Sequence, residues 1–167
     1  MNKTKEDLQA AFSGESQANR RYLAFAKKAE HEGKSGIAKI FRVAAEGETV
    51  HALNHFRAMG AVHGTAENLK EAIAGETYEA ETMYPNFLED AKREDEKGAI
   101  ASFSGALAVE RVHKKLFEEA LAKEEAGEEV APADFYVCSV CGYPASPEAP
   151  DECPVCGAKK ELFRRVE

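Results

Sequence analysis

The sequence predicts a mainly α-helical chain, with four long helices followed by a small module organised by cysteines. Three observations carry this. Apolar residues recur at helical spacing through the first ~125 residues. All four cysteines lie near the C-terminus as two C-x-x-C pairs, Cys138/Cys141 and Cys153/Cys156. Between these regions, Lys123 to Asp134 is built from Glu, Ala, Gly and Pro with few apolar residues, the composition of a linker. The boundaries that follow are a helical domain at 1–125, a linker at 126–134 and a cysteine domain at 135–167.

The first helix is expected over 4–31, with Leu8, Phe12, Ala18, Tyr22, Ala26 and Ala29 on one stripe. The second, over 35–60, carries Ile37, Ile40, Phe41, Ala44, Ala52 and Phe56. The third, over 66–95, carries Leu69, Ile73, Ala80, Met83 and Phe87, and Pro85 should kink it because proline lacks a backbone donor. The fourth, over 97–124, carries Phe103, Ala106, Leu107 and Phe117. Turn signals separate them at Gly33–Gly36, Gly60–Thr65 and Glu96–Gly98. In the cysteine module, Tyr136, Tyr143 and Phe163 are the expected core aromatics.

Charge and hydropathy narrow the function. The net charge of −8 offers no attraction to nucleic acid or to anionic membranes. The first residues lead into an amphipathic pattern and not an apolar signal core, and no stretch approaches a membrane span. A soluble, cytoplasmic protein is the expectation. In a reducing compartment, four clustered cysteines mark a metal site before they mark disulfides.

The helical region contains an internal repeat. Gly14-Glu15 is echoed by Gly75-Glu76, 61 residues on, and Glu48-x-x-His51 by Glu110-x-x-His113, 62 residues on. Each half therefore supplies one glutamate and then one E-x-x-H, as in a pseudo-two-fold bundle around a shared centre. All of these residues sit in apolar stripes, and residues at i and i+3 share a helix face. With Glu79, five carboxylates and two imidazoles point towards a core. A buried, unpaired carboxylate costs several kcal/mol, and no lysine or arginine occupies these positions. Metal ions are the natural counter-charge. The donors suit two ions of iron or manganese, with zinc open. A single E-x-x-H is usually a solvated pair; two at matched positions, each with its own glutamate, form the known ligand pattern of ferritin-like di-iron proteins. His31, His55 and His63 are expected at the surface or, for His55, in support of His51.

Each C-x-x-C is followed by a glycine, Gly142 and Gly157, which permits the turn that aims backbone N–H groups at sulfur. Four thiolates at this spacing form a closed tetrahedral site for iron or zinc, and the spacing alone does not distinguish the two.

Taken together, Phe-Ser-Gly-Glu15-Ser-Gln-Ala-Asn-Arg-Arg-Tyr22, Glu48-x-x-His51, Gly-Glu76-Thr-Tyr-Glu79-Ala-Glu-Thr-Met-Tyr84-Pro85 and Glu110-x-x-His113 resemble the rubrerythrin family over essentially the whole chain. E-x-x-E followed by Met-Tyr-Pro is the most diagnostic of them. The resemblance implies a ferritin-like four-helix bundle with a rubredoxin-like module. It implies a di-iron centre, one iron on the four cysteines, and reduction of hydrogen peroxide to water in oxidative-stress protection. Glu48 and Glu110 would bridge, Glu15 would be terminal at one iron, and Glu76 and His113 would serve the other. Tyr22 and Tyr84 would give supporting hydrogen bonds, or simply pack. Electrons would enter through the cysteine site from an external donor, a rubredoxin or an NAD(P)H-dependent reductase. Charge balance and the resemblance together imply that His51 serves the reduced state and Glu79 the oxidised one. A cage-forming iron-storage protein would use the same bundle, but has no need of an electron relay; a helical interaction domain with a zinc ribbon would not need the buried carboxylates.

The expected assembly is a homodimer. A ferritin-like bundle needs a long crossover between its second and third helices. The six residues Gly60 to Thr65 reach about 20 Å at most, whereas a helix of about 26 residues is about 39 Å long. The bundle is then either up-down-up-down within one chain, or built by exchange, helices one and two of one chain pairing with three and four of another. Exchange is the favoured expectation.

Overall fold

The computed structural model describes residues 2–167 and divides into two compact units, one running to His63 and the other from Gly64 to Glu167. In the first unit, α1 (Lys3–His31) and α2 (Ser35–Ala58) form an antiparallel hairpin. The Asn2 side chain caps α1 by accepting from Lys5 N–H at 3.0 Å. Gly33, at φ 73°, ends the helix in the left-handed conformation, and Lys34 N–H closes back on the Ala29 carbonyl. The buried residues of the hairpin are alanines, Ala26 and Ala29 on α1 and Ala38, Ala45 and Ala52 on α2, the last three spaced by heptads. Phe12 stacks on Phe56 at 4.9 Å and Phe25 meets Phe41 edge-on at 5.5 Å. Asn19 ties the helices by donating to the Ala45 carbonyl (2.7 Å) and to Thr49 Oγ1 (2.8 Å).

The stripe expected to be core on α2 is only partly so. Ile37 and Ile40 are 49% and 69% exposed, and Val43, Val50 and Leu53 are exposed as well. The physical reason is that a two-helix hairpin can cover one face of each helix, and small residues fill that face here.

In the second unit, the expected third helix is two. Helix α3 (Thr65–Tyr78) passes through one π turn (Glu79–Met83) into α4 (Tyr84–Arg93). Pro85 cannot donate to a carbonyl four residues back. The ladder widens just before it, with Tyr84 N–H reaching the Glu79 carbonyl. The expected kink is thus a change of hydrogen-bond register. Helix α5 (Lys97–Ala126) runs past the expected linker start at Lys123, because Ala, Lys and Glu are good helix formers. Gly127, at φ 69°, stops it.

The C-terminal residues form a three-stranded antiparallel sheet in the order β2-β1-β3, with β1 Tyr136–Cys138, β2 Pro144–Ala145 and β3 Phe163–Arg165. Its core is Cys138, Cys153 and Ala158, packed by Cys141, Tyr143, Val155 and Phe163. Tyr136 is half-buried outside that cluster. Among the described residues, no helix is long and apolar enough to cross a membrane.

Candidate metal centre

The E-x-x-H spacing puts Glu48 and His51 one turn apart on α2. His51 Nδ1 lies 3.0 Å from Glu48 Oε2. Across the hairpin, Glu15 of α1 joins them, so that the three residues offer one donor atom each within 4.8 Å.

The second unit repeats the set. Glu76 of α3 meets Glu110 and His113 of α5, again with donors within 4.8 Å. His113 Nδ1 is 2.8 Å from Glu110 Oε2 and 3.7 Å from Glu76 Oε1. The other Glu76 oxygen, Oε2, is buried and has no hydrogen-bond partner among the described residues. A buried acceptor left unsatisfied beside a second carboxylate costs free energy that a cation would recover. The donor chemistry, two carboxylates and an imidazole, fits a first-row metal.

Electrostatics agree with a site built for a cation. Burial, the hydrogen bond to Glu110 and the charges of Glu110 and Glu79 raise the Glu76 carboxyl to about 7. Glu79, on the π turn, lies outside the tight group of donors. It still feels the site: burial and Glu110 raise its carboxyl, while His113 opposes them. Burial and the charges of Glu110, Glu79 and Glu76 raise the Tyr84 phenol, which keeps its proton and so remains a donor. Tyr84 packs on Phe87 and Phe103, and Tyr22, its counterpart in the repeat, on Phe25 and Phe41.

This predicts a pH dependence for the metal-free protein. Unfolded, Glu76 ionises near 4.5; folded, it holds its proton to about 7. Its contribution to stability is therefore full below the unfolded value and is lost as pH rises through the folded one. Metal-free protein should lose thermal stability between about pH 4.5 and about pH 7, and Glu76→Gln should lose less. Equal losses in the two proteins would sink this account.

The four cysteines are free thiols whose Sγ atoms lie within 4.8 Å of one another. Cys138 Sγ is 3.6 Å from Cys156 Sγ, and Cys141 Sγ is 3.5 Å from Cys153 Sγ. Gly142 (φ 88°) and Gly157 (φ 72°) turn the two knuckles, each donating its N–H to the carbonyl of the first cysteine at 2.9 Å. Burial pushes the Cys138 thiol up, but the N–H groups of Cys141 and Val140 outweigh it and bring the thiol to about 7. Burial and the neighbouring thiols push Cys141 up to about 12, against the N–H of Tyr143. Four such sulfurs cannot all ionise together unless a cation shares their charge. Cys138 and Cys153 are buried, whereas Cys156 is exposed.

Two residues that matter to this region had no role assigned from the sequence. One is Asn19, the cross-hairpin tie, which stands inside the Glu15–Tyr22 run. The other is Gly105, where an added methyl group would lie 3.7 Å from Cys141 Cβ.

Comparison with known proteins places these observations. A family profile described as Rubrerythrin matches residues 6–121, and one described as the rubredoxin-like domain of rubrerythrin matches residues 136–164. Rubrerythrin-2 of Clostridium acetobutylicum is 36% identical, covering 96% of this chain and 95% of that relative. Rubrerythrin of Porphyromonas gingivalis is 37% identical, covering 96% and 88%. Among solved structures, nigerythrin in a mixed-valent state aligns with a TM-score of 0.57 at 30% identity, covering 99% of this chain and 88% of that one. Its fully reduced, all-ferrous state aligns with a TM-score of 0.58 at 29% identity, with the same coverage.

Proposed function

The chain belongs to the rubrerythrin family, and on that premise we propose that it is a non-haem di-iron peroxidase, reducing hydrogen peroxide to water in the cytoplasm. The observation that carries this is the pairing of two Glu–Glu–His sets with a four-thiolate site in one chain. Glu15, Glu48, His51, Glu76, Glu79, Glu110 and His113 would hold the di-iron centre, and Cys138, Cys141, Cys153 and Cys156 a single iron. When bound, these metals supply one-electron chemistry: two electrons for the O–O bond of H2O2, returned one at a time through the thiolate site.

The protein side chains set the conditions for that chemistry. The carboxylates would balance the charge of the ions and leave the site close to neutral. His51 would serve as donor in the reduced state and Glu79 in the oxidised one, where an added carboxylate would offset the added positive charge. The Tyr84 hydroxyl, protonated, can donate a hydrogen bond to the ligand carboxylates and help deliver one of the two protons consumed.

The functional form is a homodimer that takes electrons from an external donor, a rubredoxin or an NAD(P)H-dependent reductase. Exposed Ile37, Ile40 and Val43 on α2 support association, since apolar patches of this kind are usually covered. The short connection after α2 supports exchange. Each centre would take Glu15, Glu48 and His51 from one chain, and Glu76, Glu79, Glu110 and His113 from the other.

The test is anaerobic reconstitution followed by peroxide addition. We expect three irons per chain, a red thiolate–iron absorption band, and peroxide consumed in step with donor oxidation. Crystal structures of the reduced and oxidised protein should differ at His51 and Glu79. Zinc on the four cysteines in protein from its native host, or no peroxide consumption, would refute the proposal. Finding all seven ligands of one centre on a single chain would remove helix exchange.

A further inference from the structure

Polar ties recur at matched places in the two halves of the repeat. In the first half, Asn19 stands three residues before Tyr22. Its side-chain amide donates to the Ala45 carbonyl at 2.7 Å and to Thr49 Oγ1 at 2.8 Å, and the Thr49 hydroxyl donates to the same carbonyl at 3.1 Å. In the second half, Glu81 stands three residues before Tyr84 and accepts from Lys114 Nζ at 2.9 Å. Each tie joins the helical run that carries the lone glutamate to the helix that carries E-x-x-H. Each also lands on or beside that motif: Thr49 follows Glu48, and Lys114 follows His113. The groups differ, a neutral amide in one half and an ion pair in the other, so the match lies in position and not in residue identity.

The first hairpin shows why such a tie is needed. Asn19 is one turn beyond Glu15 and shares its helix face. Asn19, Thr49 and Glu48 line one cleft of about 160 Å³. The residues buried in this hairpin are alanines, whose short side chains make shallow ridges and resist sliding weakly. Its aromatic pairs stay favourable over roughly 4.5–7 Å of centroid separation. Metal ligands must be placed to about 0.2 Å, and neither kind of packing sets the register of α1 along α2 that finely. Hydrogen bonds weaken steeply away from their best geometry, and Asn19 makes two of them beside the donors.

We infer that Asn19, acting with Thr49, is a positioning residue that sets Glu15 against Glu48 and His51, and that the Glu81–Lys114 pair does the same for Glu76 against Glu110 and His113. None of these four is a metal ligand. The inference rests on the di-iron reading above and not on the peroxide chemistry. The two ties are unequal in strength. The Lys114 side chain is 26% exposed and that of Glu81 63%, and an ion pair open to solvent is screened. The first half therefore depends on its tie more than the second.

The test is anaerobic titration of the full-length protein with Fe2+, once iron is on the four cysteines, with melting temperature measured alongside. In Asn19→Ala, Fe2+ should bind the carboxylate centre about tenfold more weakly. Thr49→Val keeps the bond to Ala45 and should weaken binding less, and Thr49→Ser, which keeps the hydroxyl, should match the parent. The thiolate–iron spectrum should not change in any of them. Lys114→Met should weaken binding only about two- to threefold. The first half's tie can be moved into the second with Glu81→Asn, Arg111→Thr and Lys114→Ala together, since Arg111 follows Glu110 as Thr49 follows Glu48; that triple variant should recover the parent affinity. A lowered melting temperature with parent affinity in Asn19→Ala would reduce the tie to a structural contact and overturn the proposal. If Asn19→Ala does not fold, Thr49→Val against Thr49→Ser decides, and equal affinities overturn it. A parent protein that binds no iron at its carboxylates would refute the di-iron reading itself. A parent that binds iron there with an affinity no variant alters would refute the positioning role alone.

Discussion

Cys156→Ser is expected to bring donor-driven peroxide turnover to the level seen without any donor. Among the four cysteines, this one is exposed at the module surface, and its sulfur lies 3.6 Å from buried Cys138. Serine removes the thiolate from the most accessible corner of a four-sulfur site, and an alkoxide does not form readily at neutral pH. The loss should be confined to electron entry. Glu76, Glu110 and His113 come from α3 and α5, whose hydrogen-bond ladders do not depend on the module. Iron should still load to two per chain at the carboxylate centre, and one peroxide should still be consumed per pre-reduced centre. The measurement is steady-state turnover beside single-turnover peroxide consumption. Full steady-state activity in the variant would refute the relay.

The second large effect should come from Ile40→Glu. Ile40 is 69% exposed in the chain, and it shares the helix stripe of Glu48 and His51. If a partner chain covers this face, the substitution forfeits about 1.5–3 kcal/mol of apolar burial. It also asks the interface to bury an unpaired carboxylate at several kcal/mol more. The expected outcome is a monomer by sedimentation, with the four-cysteine iron retained and the carboxylate irons lost. A stable dimer carrying all three irons would show that this face is not the interface.

Much of this was legible from residue spacing alone. The helices were, because each carries its apolar stripe for several turns. The gathering of Glu15, Glu48 and His51, and of Glu76, Glu110 and His113, was, because a carboxylate in an apolar stripe is costly to bury without a cation beside it. The cysteine knuckles were, because Gly142 and Gly157 mark their turns. What failed did so for physical reasons. Ile37 and Ile40 looked like core because periodicity reports which face is apolar, not whether the chain covers it. The helix past Lys123 was hidden by its composition, since Glu and Ala suit both helices and linkers. The approach of Cys141 to Gly105 had only a lone glycine to announce it, and its meaning depended on a segment more than thirty residues away.

The π turn at Glu79–Met83 has a counterpart in the arithmetic of the repeat. Glu15 and Glu76 are 61 residues apart, but Tyr22 and Tyr84 are 62 apart, as are Glu48 and Glu110. The second copy thus holds one residue more than the first between its glutamate and its tyrosine, and the π turn lies within that interval. In an unbroken α-helix, one inserted residue would rotate everything after it by about 100°. A π turn absorbs the insertion, so Glu76 before it and Tyr84 after it keep the facing of their counterparts. An ancestral duplication could in this way gain a single residue without repacking either half. Glu79 stands where simple alignment with the first half gives Ala18, so only the second half carries the extra carboxylate. Two metals held by the two halves would then be chemically inequivalent, and the origin of their difference would be one added codon.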